Sequence, residues 1–126
     1  MKTYRIMVID DEKIVGDMSK AVLEKEGYLV ETFLSAEPAL AKLKEEKFDI
    51  VITDLKMKAV DGMEVLSRIK AESPEVKVIM ITAFANLNAA IEAIKKKVDD
   101  FFTKPVKFKD LKDSIRHLLG EPKSAL

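Results

Sequence analysis

Short apolar runs alternate along the chain with longer segments in which apolar residues recur three or four positions apart. The short runs predict five β-strands, at Arg5–Asp10, Tyr28–Phe33, Asp49–Asp54, Val76–Thr82 and Asp100–Thr103. The third run has an unbroken apolar centre, which suggests a strand buried on both faces. A longer periodic segment follows each run. This alternation predicts an α/β protein in which helices cover both faces of a parallel sheet.

Local signals predict where the helices begin and end and which residues they bury. The first helix runs from Glu12 to about Glu26, with Ile14, Met18 and Val22 spaced four apart. The other boundary signals are the N-caps Ser35 and Asn86 or Asn88, the turn Asp61-Gly62, and the ends at Gly27, Ser73-Pro74 and before Gly120. The apolar residues expected on the four later helices are Ala36, Leu40 and Leu43; Val65, Leu66 and Ile69; Leu87, Ala90, Ile91 and Ile94; and Phe108, Leu111, Ile115 and Leu118.

Length and composition narrow the class of protein. The 126 residues suffice for one domain, expected over residues 1–120, with residues 121–126 as a flexible tail or the start of a linker. The sequence has no cysteine, so disulfides and thiolate metal sites are excluded. Its 22 basic residues balance its 22 acidic ones, and nucleic-acid contact is therefore not expected. With no signal peptide and no membrane-spanning apolar run, we expect a cytoplasmic protein without a membrane partner.

Polar and charged residues stand at the carboxyl ends of four of the five predicted strands. Asp10-Asp11-Glu12 follow the first strand, Asp54 ends the third, Thr82-Ala83 end the fourth and Lys104 follows the fifth. Taken singly, each has an ordinary explanation as a helix cap, a turn former or a surface residue. Ligands of open parallel sheets, however, bind beyond the carboxyl ends of the strands. The joint pattern therefore predicts a functional site at this edge of the sheet.

A cluster of Asp10, Asp11 and Asp54 would need a cation. Two like charges about 4 Å apart repel each other by roughly 4 kcal/mol at an effective dielectric near 20. The available ligands are hard oxygens, which suit Mg²⁺, and Lys104 supplies a further positive charge. A carboxylate held against Mg²⁺ and a lysine can attack a phosphoryl group and become an aspartyl-phosphate.

Four ordered motifs resemble the receiver domain of bacterial response regulators. They are Val8-Ile9-Asp10-Asp11-Glu12, Asp54-Leu55-Lys56-Met57 with Asp61-Gly62, Ile81-Thr82-Ala83, and Asp100-Phe101-Phe102-Thr103-Lys104-Pro105. The resemblance covers nearly the whole chain, and the sequence within these motifs is similar to that of receivers of nitrogen-regulation-type activators. It implies a flavodoxin-like, doubly wound five-stranded parallel sheet of strand order 2-1-3-4-5 with five helices.

The resemblance also implies which residues carry the chemistry. Asp54 would be the phosphoacceptor. Mg²⁺ would be held by Asp54, by Asp11 directly, by Asp10 in part through water, and by the backbone carbonyl of Lys56. Lys104 would pair with Asp54 or its phosphate, and the Lys104–Pro105 peptide is often cis in this family.

The resemblance implies a switch as well. Thr82 and Phe101 would be the switch residues, with Thr82 bonding a phosphoryl oxygen and Ala83 lying against the phosphoryl group. Phe101 stands where tyrosine is common, and without a hydroxyl it cannot make the inward hydrogen bond. Two further positions depart from the family pattern: Lys58 replaces a common proline, and Lys97-Val98 replace a common Gly-Ala.

The function implied is a phosphorylation-controlled signalling switch of a two-component system. Its partners would be a sensor histidine kinase or a phosphotransfer protein, a downstream effector of unknown kind, and a second copy of the chain in a phosphorylation-dependent homodimer. It would catalyse only its own phosphorylation and dephosphorylation.

Other functions fit the residues less well. A phosphohydrolase with an aspartate nucleophile typically has a second Asp two residues later, where this chain has Lys56. A flavodoxin-like cofactor binder needs a hydroxyl-rich phosphate loop after the first strand, where Asp10-Asp11-Glu12 would repel a phosphate. A docking module that is never phosphorylated would not need the complete acidic set. The sole histidine, His117, is expected on a helix surface without a phosphotransfer role.

Overall fold

Strands and helices alternate strictly along the chain in the computed structural model, which describes residues 2–57, 60–83 and 86–121. The strands are β1 (Arg5–Ile9), β2 (Leu29–Phe33), β3 (Ile50–Thr53), β4 (Lys77–Thr82) and β5 (Asp100–Thr103). The helices are α1 (Lys13–Glu24), α2 (Ala36–Glu45), α3 (Gly62–Glu72), α4 (Leu87–Lys95) and α5 (Phe108–Leu118). All five predicted strands and all five predicted helices are confirmed, with boundaries shifted by one or two residues.

The strands form one parallel sheet in the order β2-β1-β3-β4-β5. This is the predicted doubly wound topology. The order reverses between β1 and β3, because β2 lies on one side of β1 and the later strands lie on the other. The register pairs Ile9 with Thr53 and Thr82 with Thr103. The strand ends that carry Asp10, Asp54 and Lys104 therefore lie at one edge of the sheet, and the first two flank the point where the order reverses.

Two apolar cores cover the two faces of the sheet. Within β1, Met7 and Ile9 belong to one core, whereas Ile6 and Val8 belong to the other, as the alternation of side chains along a strand requires. Helices α2, α3 and α4 close the first core, and α1 and α5 close the second. All four residues of β3 are buried, which confirms the prediction of a strand covered on both faces.

The predicted apolar face of α1 is wrong. Ile14 and Met18 are 67% and 51% exposed, and the helix instead buries Gly16, Ser19 and Leu23. The small residues explain the difference, since a Cβ added at Gly16 would lie 3.6 Å from the side chain of Thr32. Small side chains let the helix approach the sheet closely, so its apolar stripe lies toward solvent.

Helix α4 also exposes residues that were expected to face the core. Leu87, Ile91 and Ile94 are 75%, 41% and 68% exposed, while Ala93 is fully buried. We call Leu87, Ile91 and Ile94 the α4 stripe. As in α1, small residues lie against the core and several large apolar residues remain outside, although α1 also buries Leu23. The faces predicted for α2, α3 and α5 are confirmed by their membership of the two cores.

The capping predictions are confirmed in part. The Asn86 side chain accepts a hydrogen bond from the backbone N–H of Ala89 at 2.8 Å, as a cap should. Asp61, which was predicted only as part of a turn, also caps its helix by accepting from the N–H of Glu64 at 3.0 Å. Ser35 occupies the N-cap position of α2 without a side-chain capping bond. Helix α3 ends at Glu72 with Ser73 as its C-cap, in agreement with the predicted end at Ser73-Pro74. His117 is exposed on α5.

No helix in the described ranges is long and apolar enough to cross a membrane. Lys58 and residues 122–126, for which a loosened loop and a fraying tail were predicted, lie outside those ranges, as do Phe84 and Ala85.

Lys97 closes α4 in a backbone conformation that favours glycine. Its φ is +67°. Its N–H donates to the carbonyl of Ile94, and the N–H of Val98 donates to that of Ala93, each at 3.0 Å. This double closure of a helix end normally places glycine at the left-handed position. A side chain here costs about 1 kcal/mol relative to glycine.

We expect Lys97→Gly to raise the free energy of unfolding by about 0.5–1 kcal/mol, because it removes the steric cost of the left-handed backbone. Lys95→Gly, inside α4, is the matched control and should lower it by a similar amount. Urea denaturation followed by circular dichroism measures both. A Lys97→Gly protein no more stable than the parent would contradict the interpretation.

Candidate functional site

Backbone hydrogen bonds fix the site residues at the carboxyl edge of the sheet. The N–H of Asp10 donates to the carbonyl of Phe33 at 3.0 Å, and the N–H of Asp54 donates to that of Ile9 at 3.1 Å. The N–H of Lys104 donates to the carbonyl of Thr82 at 2.9 Å. Each bond extends the ladder between neighbouring strands, so the positions of these residues follow directly from the sheet.

The ammonium group of Lys104 lies among three carboxylates. Its Nζ is 2.8 Å from Oδ2 of Asp54, 3.0 Å from Oδ2 of Asp10 and 3.3 Å from Oε1 of Glu12. Asp54 and Asp10 are only 6% and 5% exposed. The structure thus brings together Asp10, Asp54 and Lys104, which the sequence predicted to share a site.

Both carboxylate oxygens of Asp54 accept hydrogen bonds. Oδ2 accepts from Lys104, and Oδ1 accepts from the backbone N–H of Lys56 at 3.2 Å. Asp10 is held in the same way, since its Oδ1 accepts from the N–H of Glu12 at 2.9 Å and its Oδ2 accepts from Lys104. These bonds fix the orientation of two buried carboxylates before any ligand enters.

Burial and charge pull the ionisation of the site in opposite directions. Loss of solvation raises the pKa of the Asp10 carboxyl above its ordinary value, although the hydrogen bonds from Glu12 and Lys104 counteract it. Burial alone would lower the pKa of the Lys104 ammonium, but its hydrogen bonds to Asp54 and Asp10 outweigh that effect and raise the pKa. Lys104 therefore stays charged across the physiological range.

Three carboxylates are close enough to share a metal ion. Oxygens of Asp10, Glu12 and Asp54 all lie within 4.8 Å of one another. Hard carboxylate oxygens at this spacing, together with an excess of negative charge, suit a divalent cation such as Mg²⁺. The residues present therefore fit the metal that the sequence predicted.

Glu12 belongs to this cluster of carboxylates, although the sequence placed it in the acidic run after the first strand without naming it as a metal ligand. Asp11, which was expected to bind the metal directly, is partly exposed and is not among the described carboxylates that meet this spacing. A run of three acidic residues signals the site, but it does not show which of them contacts Lys104.

The two predicted switch residues, Thr82 and Phe101, lie on the neighbouring strands β4 and β5. Thr82 is fully buried at the end of β4, and Ala83 next to it is exposed. Phe101 is partly buried and packs against the first core, opposite Met80 in the register. The Lys104–Pro105 peptide is cis, as the resemblance implied.

Gly62 is a requirement of the site that the sequence analysis treated only as part of a turn. A Cβ added there would overlap the carbonyl oxygen of Asp54 and would lie 2.8 Å from Cα of Leu55. The N–H of Gly62 also donates to the carbonyl of Leu55 at 2.7 Å. The first residue of α3 therefore packs directly on the backbone that carries Asp54.

We expect Gly62→Ala to lower the free energy of unfolding by about 2–3 kcal/mol or more, because the new methyl group must displace backbone atoms. Gly16→Ala is the matched control. Its Cβ would make only ordinary contacts, so removing a glycine from α1 should leave the protein as stable or about 0.5–1 kcal/mol more stable. Urea denaturation compares the two, and equal stabilities would argue against the close packing at Asp54.

Comparison with known proteins agrees with this geometry. Residues 6–116 match the model of the response regulator receiver domain family. The chain is 34% identical to the transcriptional regulatory protein ZraR of Salmonella typhimurium over 91% of its length, and 36% identical to the nitrogen assimilation regulatory protein NtrX of Azorhizobium caulinodans over 81%. It spans only 26% and 23% of the lengths of these two relatives.

A solved structure shows the same fold. The crystal structure of a CheY-like response regulator receiver domain protein from Methanospirillum hungatei is 33% identical to this chain and superposes with a TM-score of 0.91. The match covers 94% of this chain and 95% of that one. This chain therefore belongs to the response regulator receiver domain family, the signalling switch of two-component systems, and is related to nitrogen-regulation-type regulators.

Proposed function

We propose that this domain accepts a phosphoryl group on Asp54 in a Mg²⁺-dependent reaction and thereby switches its interaction surface. The observation that carries the proposal is the contact of the Lys104 ammonium with two buried carboxylates, Asp54 at 2.8 Å and Asp10 at 3.0 Å. The group combines a fixed carboxylate nucleophile, a permanent positive charge and surplus negative charge for a metal. Those are the parts that phosphoryl transfer needs.

The proposed donor is a phosphohistidine of a sensor histidine kinase or phosphotransfer protein. A carboxylate oxygen of Asp54 attacks the phosphorus, an O–P bond forms, and the N–P bond to the donor histidine breaks, leaving neutral imidazole after protonation. Water later attacks the phosphorus, which releases inorganic phosphate and restores the Asp54 carboxylate. The domain thus turns over only its own phosphoryl group and is not an enzyme for an outside substrate.

The residues around Asp54 have separate tasks in this proposal. The N–H of Lys56 and the ammonium of Lys104 hold the acceptor carboxylate in place, which lowers the entropic cost of attack. Asp10, Asp11, Asp54 and the Lys56 carbonyl are the proposed metal ligands. When bound, Mg²⁺ supplies charge neutralisation at the phosphoryl oxygens. Lys104 and the backbone at Ala83 are proposed to contact the phosphoryl group.

The surface beside Asp54 has a cavity through which a phosphoryl donor can approach. A cavity of about 370 Å³ opens next to Asp54 and Lys104, between α1 and the segment after β5, and Met18 and Pro105 form part of its wall. Its mostly apolar lining suits a protein donor that delivers one charged group into an acidic recess.

The rival functions lack matching groups. In a phosphohydrolase with an aspartate nucleophile, a second carboxylate two residues later acts as acid and base, and Lys56 has no carboxylate. A docking module without phosphorylation leaves unexplained why Asp10 and Asp54 are buried together, since buried like charges are costly. The proposed setting is the cytoplasm, with residues 1–120 as the domain, no nucleic-acid contact by this domain, and a downstream effector that reads its surface.

The proposal predicts Mg²⁺-dependent labelling of Asp54. Incubated with acetyl phosphate and Mg²⁺ and weighed intact, the parent should gain the mass of one phosphoryl group, and Asp54→Asn should not, because it lacks the nucleophile. Asp17→Asn, which removes an exposed carboxylate on α1, is the control and should be labelled like the parent. Labelling of Asp54→Asn at the parental level would overturn the assignment.

We further propose how phosphorylation of Asp54 changes the surface of the domain. Thr82 can move about 2–3 Å to hydrogen-bond a phosphoryl oxygen, which frees space next to Phe101. The ring of Phe101 then turns inward, and α4 shifts with its stripe of Leu87, Ile91 and Ile94. The exposed stripe is a candidate contact for a second phosphorylated copy, and a phosphorylation-dependent homodimer is therefore part of the proposal.

Beryllofluoride, which mimics the aspartyl-phosphate, tests this route. With Mg²⁺ present, we expect amide NMR shifts at the metal site and also at Phe101 and in the range 86–94. Phe101→Ala, which lacks the ring, should keep the shifts at Asp54 and lose most of those in α4. If the parent changes only around the metal site, the route through Thr82 and Phe101 is wrong.

A further inference from the structure

We infer that Glu12 is a positioning residue that sets the charge preference of this site, favouring the divalent cation and opposing the anionic phosphoryl donor. The inference rests on the proposed phosphorylation of Asp54 and assigns a role to a residue outside the expected set of metal ligands. Its basis is the contact of Glu12 with Lys104 and its place in the cluster of three carboxylates.

Glu12 is the outermost acceptor of the Lys104 ammonium. An ammonium group has three N–H donors, and three carboxylates surround this one. Asp10 and Asp54 are buried, whereas the Glu12 side chain is 61% exposed and its 3.3 Å contact is the longest of the three. Glu12 can therefore move without disturbing the sheet, and it stands where a ligand enters from solvent.

The charge of Glu12 changes the net charge of the site. Asp10, Glu12 and Asp54 with the one ammonium leave two surplus negative charges, and Asp11, the other proposed carboxylate ligand of the metal, adds a third. Without the charge of Glu12 the site therefore attracts a divalent cation less strongly. The same charge repels a phosphoryl donor, which carries negative charge to the site. The charge of Glu12 thus strengthens the binding of the metal ion and weakens the binding of the phosphoryl donor.

The local structure shows that this side chain is not needed for the fold. Glu12 is the N-cap residue of α1, but its side chain makes no capping hydrogen bond. Its backbone carbonyl accepts from the N–H groups of Val15 and Gly16, and a substitution of the side chain leaves these bonds in place. Glu12→Gln keeps the size of the side chain and an oxygen that can accept from Lys104, and it removes only the charge.

A pair of binding measurements tests the inference. Mg²⁺ affinity is measured by amide NMR shifts during titration, and donor affinity by the KM for acetyl phosphate at saturating Mg²⁺, with labelling followed by intact mass. Coulomb's law over about 5 Å in water, reduced by salt, predicts a Mg²⁺ dissociation constant about three- to tenfold higher in Glu12→Gln. The donor KM should fall by about two- to fivefold.

Two further variants serve as controls. Glu24→Gln removes an exposed charge at the far end of α1 and should change neither constant. Glu12→Asp restores the charge and should bring both constants back toward the parental values. If Glu12→Gln weakened both ligands, or if it behaved like Glu24→Gln, the inference would be overturned.

The result separates this inference from the proposed function. If the parent is not labelled, or if Asp54→Asn is labelled, the proposed function fails. If the parent is labelled only at Asp54 and both constants are the same in Glu12→Gln as in the parent, the proposed function stands and the role of Glu12 fails. Because damage to the fold would weaken both ligands together, opposite changes in the two constants are the signature of the charge.

Discussion

The ammonium of Lys104 is the interaction that makes the rest of the site possible. Asp10 and Asp54 are nearly inaccessible to solvent, and carboxylates buried together without a positive charge would cost several kcal/mol each. The sheet makes them neighbours because β1 and β3 are adjacent. Lys104 comes from the end of β5, with β4 lying between β5 and β3. Neighbouring strands are about 4.8 Å apart, so only a long basic side chain can reach across β4.

The Lys104 side chain extends from β5 to Asp54 across the end of β4. Thr82 ends β4, directly between the two strands that Lys104 connects, and it is fully buried. The backbone N–H of Lys104 is also bonded to the carbonyl of Thr82. A group that binds both Asp54 and Lys104 therefore acts next to Thr82, and β5 carries Phe101 only three residues before Lys104. The proximity of Asp54, Thr82 and Lys104 follows from strand order and from the length of one side chain.

The sequence predicted those parts of the structure that depend on strand order. Runs of apolar residues indicated the strands, and the polar residues at their ends indicated Asp10, Asp54 and Lys104, because carboxyl ends of parallel strands meet at one edge. It did not predict that Glu12 contacts Lys104, since the direction of a side chain at a helix start depends on how that helix packs. The packing of α1 was also missed, because periodicity counts large apolar residues and ignores close contacts made by Gly16 and Ser19.

In both α1 and α4, large apolar residues that were expected to face the core are exposed. In α1 the small residues Gly16 and Ser19 are buried beside Leu23, and in α4 the buried residue is Ala93. Several large apolar residues of both helices face solvent, so burial in the core cannot explain them. Helix α1 begins just after the acidic residues that follow β1, and α4 begins a few residues after Thr82. The helices cover opposite faces of the sheet, so the acidic site lies between two apolar surfaces. A charge added at Asp54 would therefore lie between two helices that both expose large apolar residues.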